Sequence, residues 1–282
     1  MSYTFRVEGD KPVRLKDYDP REVSGLTKQM AAEQLIALSA EAGELLDLLF
    51  AASQNSLLIV LQGRDTSGKD GLIRHMLSYT NAQSCHVVPF KAPEPRELAH
   101  DFLWRVHQET PARGSIALFN RSHYEDVLIV RVRKLVPDCI WRRRYDHINA
   151  FESGLMDADT ILLKFFLHIS KDEQDARLLA REQDPIKAWK LSVADWTERD
   201  LWDKYTEAYE EALTRCSSAS APWYVVPADR KWFRNIAVTD RLVKTLRPYR
   251  ERWMSHLQRL GTIATKELIT YRSTHPVSTK VA

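Results

Sequence analysis

Within eight residues, Gly63-Arg64-Asp65-Thr66-Ser67-Gly68-Lys69-Asp70 brings together two glycines, a lysine and two carboxylates. Glycines allow a turn whose backbone N–H groups point inward, and a lysine adds a mobile cation. The stretch follows the apolar run 57–60 and precedes the helix-like run 71–77. Strand, glycine-rich turn, lysine and helix make the layout of a phosphate-cradling P-loop, the Walker A arrangement. The helix start adds the positive end of its dipole. Gly63, Thr66, Ser67, Gly68, Lys69 and Gly71 are therefore phosphate-binding candidates. A plain glycine turn is the competing reading, and the strand–helix context argues against it. An ordinary P-loop carries Ser or Thr after the lysine to hold a magnesium ion; here that residue is Asp70. Asp70 either caps the helix, where its charge suits the dipole, or faces the ligand. Asp65 could close an Asx-turn. A carboxylate among phosphates needs a cation between them, so Asp65 is also the prime candidate to face Mg²⁺ or Mn²⁺.

A second set of reactive side chains follows the run 115–119: Asn120, Arg121, Glu125 and Asp126. P-loop proteins usually end this strand in a metal-facing Asp, and Asn120 stands in that place. Its amide oxygen binds a metal or its waters more weakly than a carboxylate does. A guanidinium at Arg121 can clamp phosphate with two hydrogen bonds. Glu125 and Asp126 either supply helix N-terminal charge or contact a nucleotide or its metal, whereas His123 and Tyr124 read as packing residues. Farther along, Arg177 and Arg181 lie four apart and share a helix face, with Lys187 and Lys190 beyond Pro185. A basic helix pair between the last two strands would sit above the phosphates as a lid. Trp189, Trp196 and Trp202 fit lid packing better than base stacking, and Arg142-Arg143-Arg144 reads as a solvated face.

The elements that must position these residues alternate. Short apolar runs predict strands over 57–62, 85–90, 115–119, 161–169 and 223–227, with helices over 70–79 and 94–109. This is the pattern of an open α/β fold, a five-stranded parallel sheet flanked by helices with right-handed crossovers. Residues 1–25 read as an extended arm. The spacing of Met30, Leu35, Ile36, Leu38, Leu45, Leu46 and Leu49 predicts an amphipathic helix over 27–51 packed on the body. A helical stretch runs from 227 to about 260. The expected organisation is one kinase-like domain over 1–262, with arm and first helix in 1–55 and a lid at about 170–217. A flexible tail over 263–282 completes it.

Bulk composition sets outer limits. A chain of 282 residues, 44% hydrophobic and 28% charged, is ordinary for a globular protein. A net charge of +3 implies no general grip on nucleic acid, so any polyanion site must be a local cluster of Lys and Arg. Cys85, Cys139 and Cys216 are odd in number and far apart, which suits free thiols in a reducing compartment. With no apolar leader and no run long enough to span a bilayer, a cytoplasmic protein without a membrane partner is expected.

Taken together, these blocks resemble the polyphosphate kinase 2 family. The similarity rests on 63–71, on Phe119-Asn120-Arg121-Ser122-His123-Tyr124-Glu125-Asp126-Val127-Leu128, on the lid stretch 177–190 and on the arm segment 13–18. It looks closest to the third class, whose members phosphorylate AMP and ADP from inorganic polyphosphate. Asp after the P-loop lysine is normal in that family. The resemblance implies a thymidylate-kinase-like core and a helical lid. It also implies Mg²⁺, an oligomer that is often a tetramer built from dimers, and a cleft lined by Asp65, Lys69, Asn120, Arg121, Glu125 and Asp126. Lys69, Arg121, Arg177, Arg181, Lys187 and Lys190 would then form a cationic channel for polyphosphate, with Asp65, Lys69, Arg121 and Arg181 closest to the transfer step. AMP, ADP and ATP are the expected nucleotides, with guanine nucleotides as possible alternates. Two rivals share the fold: an ATP-dependent nucleoside or nucleotide kinase, and a nucleotide-binding regulatory protein without turnover.

Overall fold

The computed structural model describes residues 2–9, 11–184, 186 and 193–275, with backbone only at 193–195. Lys187, Trp189 and Lys190 lie outside the described residues. The predicted strands are present as β2 (Ser56–Gly63), β3 (Cys85–Pro89), β4 (Ile116–Asn120), β5 (Thr160–His168) and β6 (Trp223–Pro227). All eight residues of β2 are buried, as a parallel strand covered on both faces requires. The sheet nevertheless has six strands, in the order β1-β6-β5-β2-β4-β3. The extra strand is β1 (Phe5–Arg6), antiparallel to β6 with Phe5 opposite Val225. The five-stranded parallel expectation is thus corrected to a mixed sheet. The arm is also more than a strap, because Val7, Val13 and Leu15 are buried. Two strand residues are too few to show a period in sequence.

Two apolar layers enclose the sheet. One contains α1 (Lys28–Ala52), α2 (Lys69–Leu77), α10 (Lys231–Leu246) and the start of α11 (Arg250–Thr274). The other contains α6 (Asp138–Asp157) and α9 (Trp202–Arg215). Helix α1 begins at Thr27, whose hydroxyl accepts from Met30 N at 3.2 Å. Its buried stripe is Ala42, Leu45, Leu46 and Leu49, each leucine contributing about 1.5–3 kcal/mol by leaving water. Ile36 was expected on that stripe, yet it is 75% exposed. Its phase along the helix puts it on the opposite side. The helix expected over 94–109 is two short ones, α3 (Pro95–Leu98) and α4 (Trp104–His107). An Asp101 turn, whose carboxylate accepts from Leu103 N at 2.9 Å, separates them.

Between β4 and α6 lie a 3-10 turn (His123–Asp126) and α5 (Ile129–Val132). Between β5 and β6 lie α7 (Lys171–Glu182), α8 (Val193–Arg199) and α9, with no strand among the described residues. The segment 263–282, expected to be a flexible tail, continues helix α11 as far as Thr274 among the described residues. No described helix is long and apolar enough to cross a membrane.

Strand β2 has β4 on one side and β5 on the other. From β2 the chain crosses to the edge strand β3, returns to β4 beside β2, and then builds outward through β5 and β6 on the other side, so the loops after β2, β4 and β5 open together at the C-terminal ends of these parallel strands. Ligands of open α/β sheets collect in such a crevice, at the C-terminal ends of the strands.

Candidate active site

The loop from β2 to α2 needs its glycines. Gly63 (φ +152°) has Leu167 O within 2.8 Å of where a Cβ would sit. At Gly68 (φ +99°) a Cβ would meet Arg234 Nη1 at 2.0 Å. Thr66, with φ +63°, holds a left-handed conformation that costs a non-glycine residue energy. Two arginines brace this turn from outside. Arg177 donates to Thr66 O at 2.8 Å and to Ala228 O and Asp229 O at 2.6 and 2.8 Å. Arg234 donates to Gly68 O at 2.9 Å. Lys69 is buried, with Nζ donating to Gly63 O at 2.7 Å and Arg64 O at 3.1 Å. Burial, reinforced by Arg121, lowers its pKa to about 8. Burial and Arg177 together lower that of Arg234 to about 10. The hydroxyls of Thr66 and Ser67 are buried and have no hydrogen-bond partner among the described residues. Buried polar groups ordinarily find partners, so these two donors suit a ligand.

The loop after β4 faces this turn. Asn120 Nδ2 donates to Asp70 Oδ1 at 3.0 Å. Arg121, also left-handed at φ +65°, donates to Asp65 Oδ1 at 2.6 Å, with Glu125 Oε2 3.5 Å away. Glu125 and then Asp65 raise its pKa against the effect of burial. A buried polar cluster sits under the same loop. Lys164 donates to Glu152 at 2.6 Å, and Tyr124 donates to the other Glu152 oxygen at 2.7 Å, with His123 Nε2 3.2 Å from it. Burial alone would raise the Glu152 pKa, but Lys164 and His123 outweigh it and hold it low. Removing one member of so buried a pair costs roughly 3–5 kcal/mol, which pins the loop that carries Arg121.

Two cavities meet across Asp65 and Arg121. One, of about 700 Å³, runs from the P-loop along α7 and α10. Its cationic lining is Lys69, Arg74, Arg121, Arg177, Arg181, Lys231 and Arg234, against three acids, Asp65, Asp70 and Glu173. The other, of about 260 Å³, is bounded by Arg64, Glu125, Glu198, Trp202, Tyr205 and Tyr209 as well as the shared pair. There the Arg64 guanidinium lies 3.6 Å from the Trp202 ring centroid and donates to Trp202 O at 3.0 Å, a cation–π contact. The first cavity suits a polyanion; the second suits a flat ring attached to a phosphate.

A sequence model of the polyphosphate kinase 2 family matches residues 25–252. The chain belongs to that family. It is 48% identical over 244 residues to an AMP/ADP-polyphosphate phosphotransferase of Meiothermus ruber, covering 86% of this chain and 91% of that one. It is 38% identical over 214 residues to a polyphosphate:AMP phosphotransferase of Pseudomonas aeruginosa, covering 76% and 43%. Among solved structures, a polyphosphate kinase 2 from Arthrobacter aurescens TC1 superposes with a TM-score of 0.82 at 42% identity, covering 86% and 87%.

In this polyphosphate kinase 2 chain, Asp65, Lys69, Asp70, Asn120, Arg121, Arg177 and Arg181 line the cationic cavity together with Thr66, Gly68 and Gly71. Gly63 and Glu125 line the aromatic one. Asp126 borders neither. Arg144 donates to its carboxylate at 2.8 Å, and burial raises its pKa to about 6 against the opposing pull of Arg144 and Arg105. Arg144 was expected on a solvated face; only Arg142 and Arg143 are exposed there. Arg177, expected as a lid cation, both lines the cationic cavity and braces the P-loop through Thr66 O. Trp202 borders a cavity instead of merely packing. Sequence reading also passed over Arg64, Arg74, Tyr205, Tyr209, Lys231 and Arg234. Arg64 sits inside the quoted motif and could have been found. The others carry no spacing signal, since they reach the site from α2, α9 and α10 only through the fold.

Proposed function

We propose that the chain transfers the terminal phosphoryl group of inorganic polyphosphate to the phosphate of AMP or ADP, and runs the reverse reaction. The observation that carries this reading is the pair of unlike cavities meeting at Asp65 and Arg121. Polyphosphate would lie in the cationic trough with its end in the P-loop. The nucleotide would place its ring by Trp202, Tyr205 and Tyr209 and its phosphate at Arg121. The breaking bond joins the terminal phosphorus to its bridging oxygen, and the forming bond joins that phosphorus to an acceptor phosphate oxygen. That oxygen is already ionised at neutral pH, so the site needs little general base. Its work is alignment and charge neutralisation. Lys69, now on loop carbonyls, would turn to the leaving oxygen. Arg121 would let go of Asp65 to clamp the transferring group, and Arg181 would cover it from α7 as the lid closes and water is excluded.

Asp65 is half-buried and borders both cavities, with Asn120 and Asp70 beside it. Magnesium keeps several waters and takes its other ligands from one or two carboxylates and from phosphate, and this donor set fits such an ion, Mg²⁺ or Mn²⁺, on Asp65 with Asn120. When bound, the ion would neutralise phosphate charge and orient the two substrates. A cytoplasmic setting and a homo-oligomer, dimer or tetramer, complete the proposal. The free thiols at Cys85, Cys139 and Cys216 support the former.

The test is nucleotide product analysis with AMP or ADP, Mg²⁺, and either polyphosphate or ATP as sole donor. ADP and ATP should form with polyphosphate. Product with ATP and AMP but none with polyphosphate would replace the reading by an ATP-dependent kinase. Binding without turnover would replace it by a regulatory protein.

A further inference from the structure

The residues of β2 from Leu57 to Leu61 are all apolar, as a parallel strand covered on both faces prefers. Gln62 breaks the run directly before Gly63, and it is buried. Leu61 pairs with Asn120, so the amide appears at the level of Arg121. It meets two groups of the loop after β4. Its oxygen accepts from Ser122 N and Ser122 Oγ, each at 3.1 Å, and its nitrogen donates to Glu125 Oε1 at 3.1 Å. The opposite orientation would set the oxygen against the carboxylate and the nitrogen against the Ser122 N–H, so hydrogen bonding decides between the two. Ser122 Oγ in turn accepts from Tyr124 N at 3.2 Å and starts the 3-10 turn. One buried side chain from β2 thus fixes both ends of the segment 122–125.

Arg121 adjoins that segment and needs outside support. Its φ of +65° is left-handed, and a non-glycine residue stays there only where its surroundings over-determine the backbone. Leu61 O accepts from Arg121 N at 3.0 Å, and Gln62 takes the next N–H, that of Ser122. Adjacent residues of β2 therefore grip adjacent residues of the loop. The side chain is held as well. Gln62 occupies one oxygen of Glu125, and the other lies 3.5 Å from Arg121 Nη1. When Arg121 releases Asp65 for the transferring group, Glu125 is the carboxylate that stays beside it. We infer that Gln62 is a positioning residue for Arg121, acting on its backbone through Ser122 and on its guanidinium through Glu125. This rests on the transfer role proposed above for Arg121.

Two variants of the full chain test this. Each is compared with wild type on whichever donor, polyphosphate or ATP, supports wild-type turnover, so a wrong donor assignment shows in the wild type alone. Gln62→Met keeps the bulk and removes the amide. Its kcat should fall about 10- to 100-fold, the scale of a misplacement of about 1 Å at a reacting group, with both KM values little changed. An amide that served folding alone would lower the melting temperature and leave kcat in place. Gln62→Glu keeps the shape but sets a second carboxyl at the 3.1 Å contact with Glu125 Oε1. Two carboxylates that close cannot both ionise, so at low pH one holds a proton and restores the hydrogen bond. The other groups that act on Glu125, namely Lys69, Arg121, Asp126, Tyr205 and Tyr209, are common to both proteins. The ratio of variant to wild-type kcat should therefore fall as pH rises from about 6 to 9. The variant's melting temperature should fall relative to wild type over the same range, because the folded pair holds its proton more tightly than an unfolded carboxyl does. That second readout needs no turnover. A kcat for Gln62→Met close to wild type, or a kcat ratio or melting difference for Gln62→Glu that stays flat with pH, overturns the inference.

Discussion

The two cavities are built by opposite means. The cationic trough rests on backbone: a glycine turn whose carbonyls at Thr66 and Gly68 are braced by Arg177 and Arg234. Its neighbour rests on side chains, with Arg64 stacked on Trp202 and two tyrosines from α9. A phosphate chain offers the same oxygens at every unit, so a fixed cradle can bind it in any register. A nucleotide has one ring and one phosphate end, so the cavity proposed for it needs shape. The pair Asp65 and Arg121 belongs to both, and there the two requirements must be reconciled.

Losing Lys69 should do most harm. Lys69→Ala removes the one ammonium buried in the P-loop, and kcat should fall by about 10²–10³-fold, the usual loss when a main electrostatic contact to the transition state goes. Thermal unfolding should change little, since the wild-type side chain is held only by two loop carbonyls. A kcat within a few-fold of wild type would remove the P-loop from the chemistry. The next effects should divide by cavity. Arg234→Met should raise KM for polyphosphate about tenfold, near 1.4 kcal/mol, with KM for the nucleotide unmoved. Trp202→Ala should do the reverse by a similar factor. If either variant moves both constants equally, the cavities are not separate sites.

Much of this arrangement was legible in the sequence because it is local. β2, the P-loop and α2 are contiguous, as are β4, Asn120 and Arg121, and apolar runs bounded by turn residues mark both strands. The β1 pairing was hidden because two residues carry no period. Arg234 was hidden for another reason. It lies 166 residues from Gly68, and only the packing of α10 beside α2 joins them. Asp126 shows the converse limit. It adjoins Glu125 in sequence, but one step along the 3-10 turn rotates it to Arg144 and away from both cavities.

A milder perturbation, pH, should separate the cavities without mutation. In the ligand-free protein burial holds the Lys69 pKa at about 8. Below that value the side chain is an ammonium; above it the folded, empty loop holds a neutral amine. Polyphosphate favours the charged form, so binding must take up a proton as pH rises through 8. KM for polyphosphate should therefore climb between pH 7 and 9, by at most about tenfold per unit above the pKa. On the nucleotide side, burial pushes Tyr205 and Tyr209 up and out of that window, and Arg64, lowered by burial to about 10, stays charged across it. KM for AMP or ADP should stay nearly level. Initial rates with each substrate varied in turn will show whether the two curves part. In Lys69→Arg the polyphosphate curve should flatten, because a guanidinium keeps its charge over this range. Persistence of the climb in that variant would assign the titration to another group and leave the two cavities electrostatically alike.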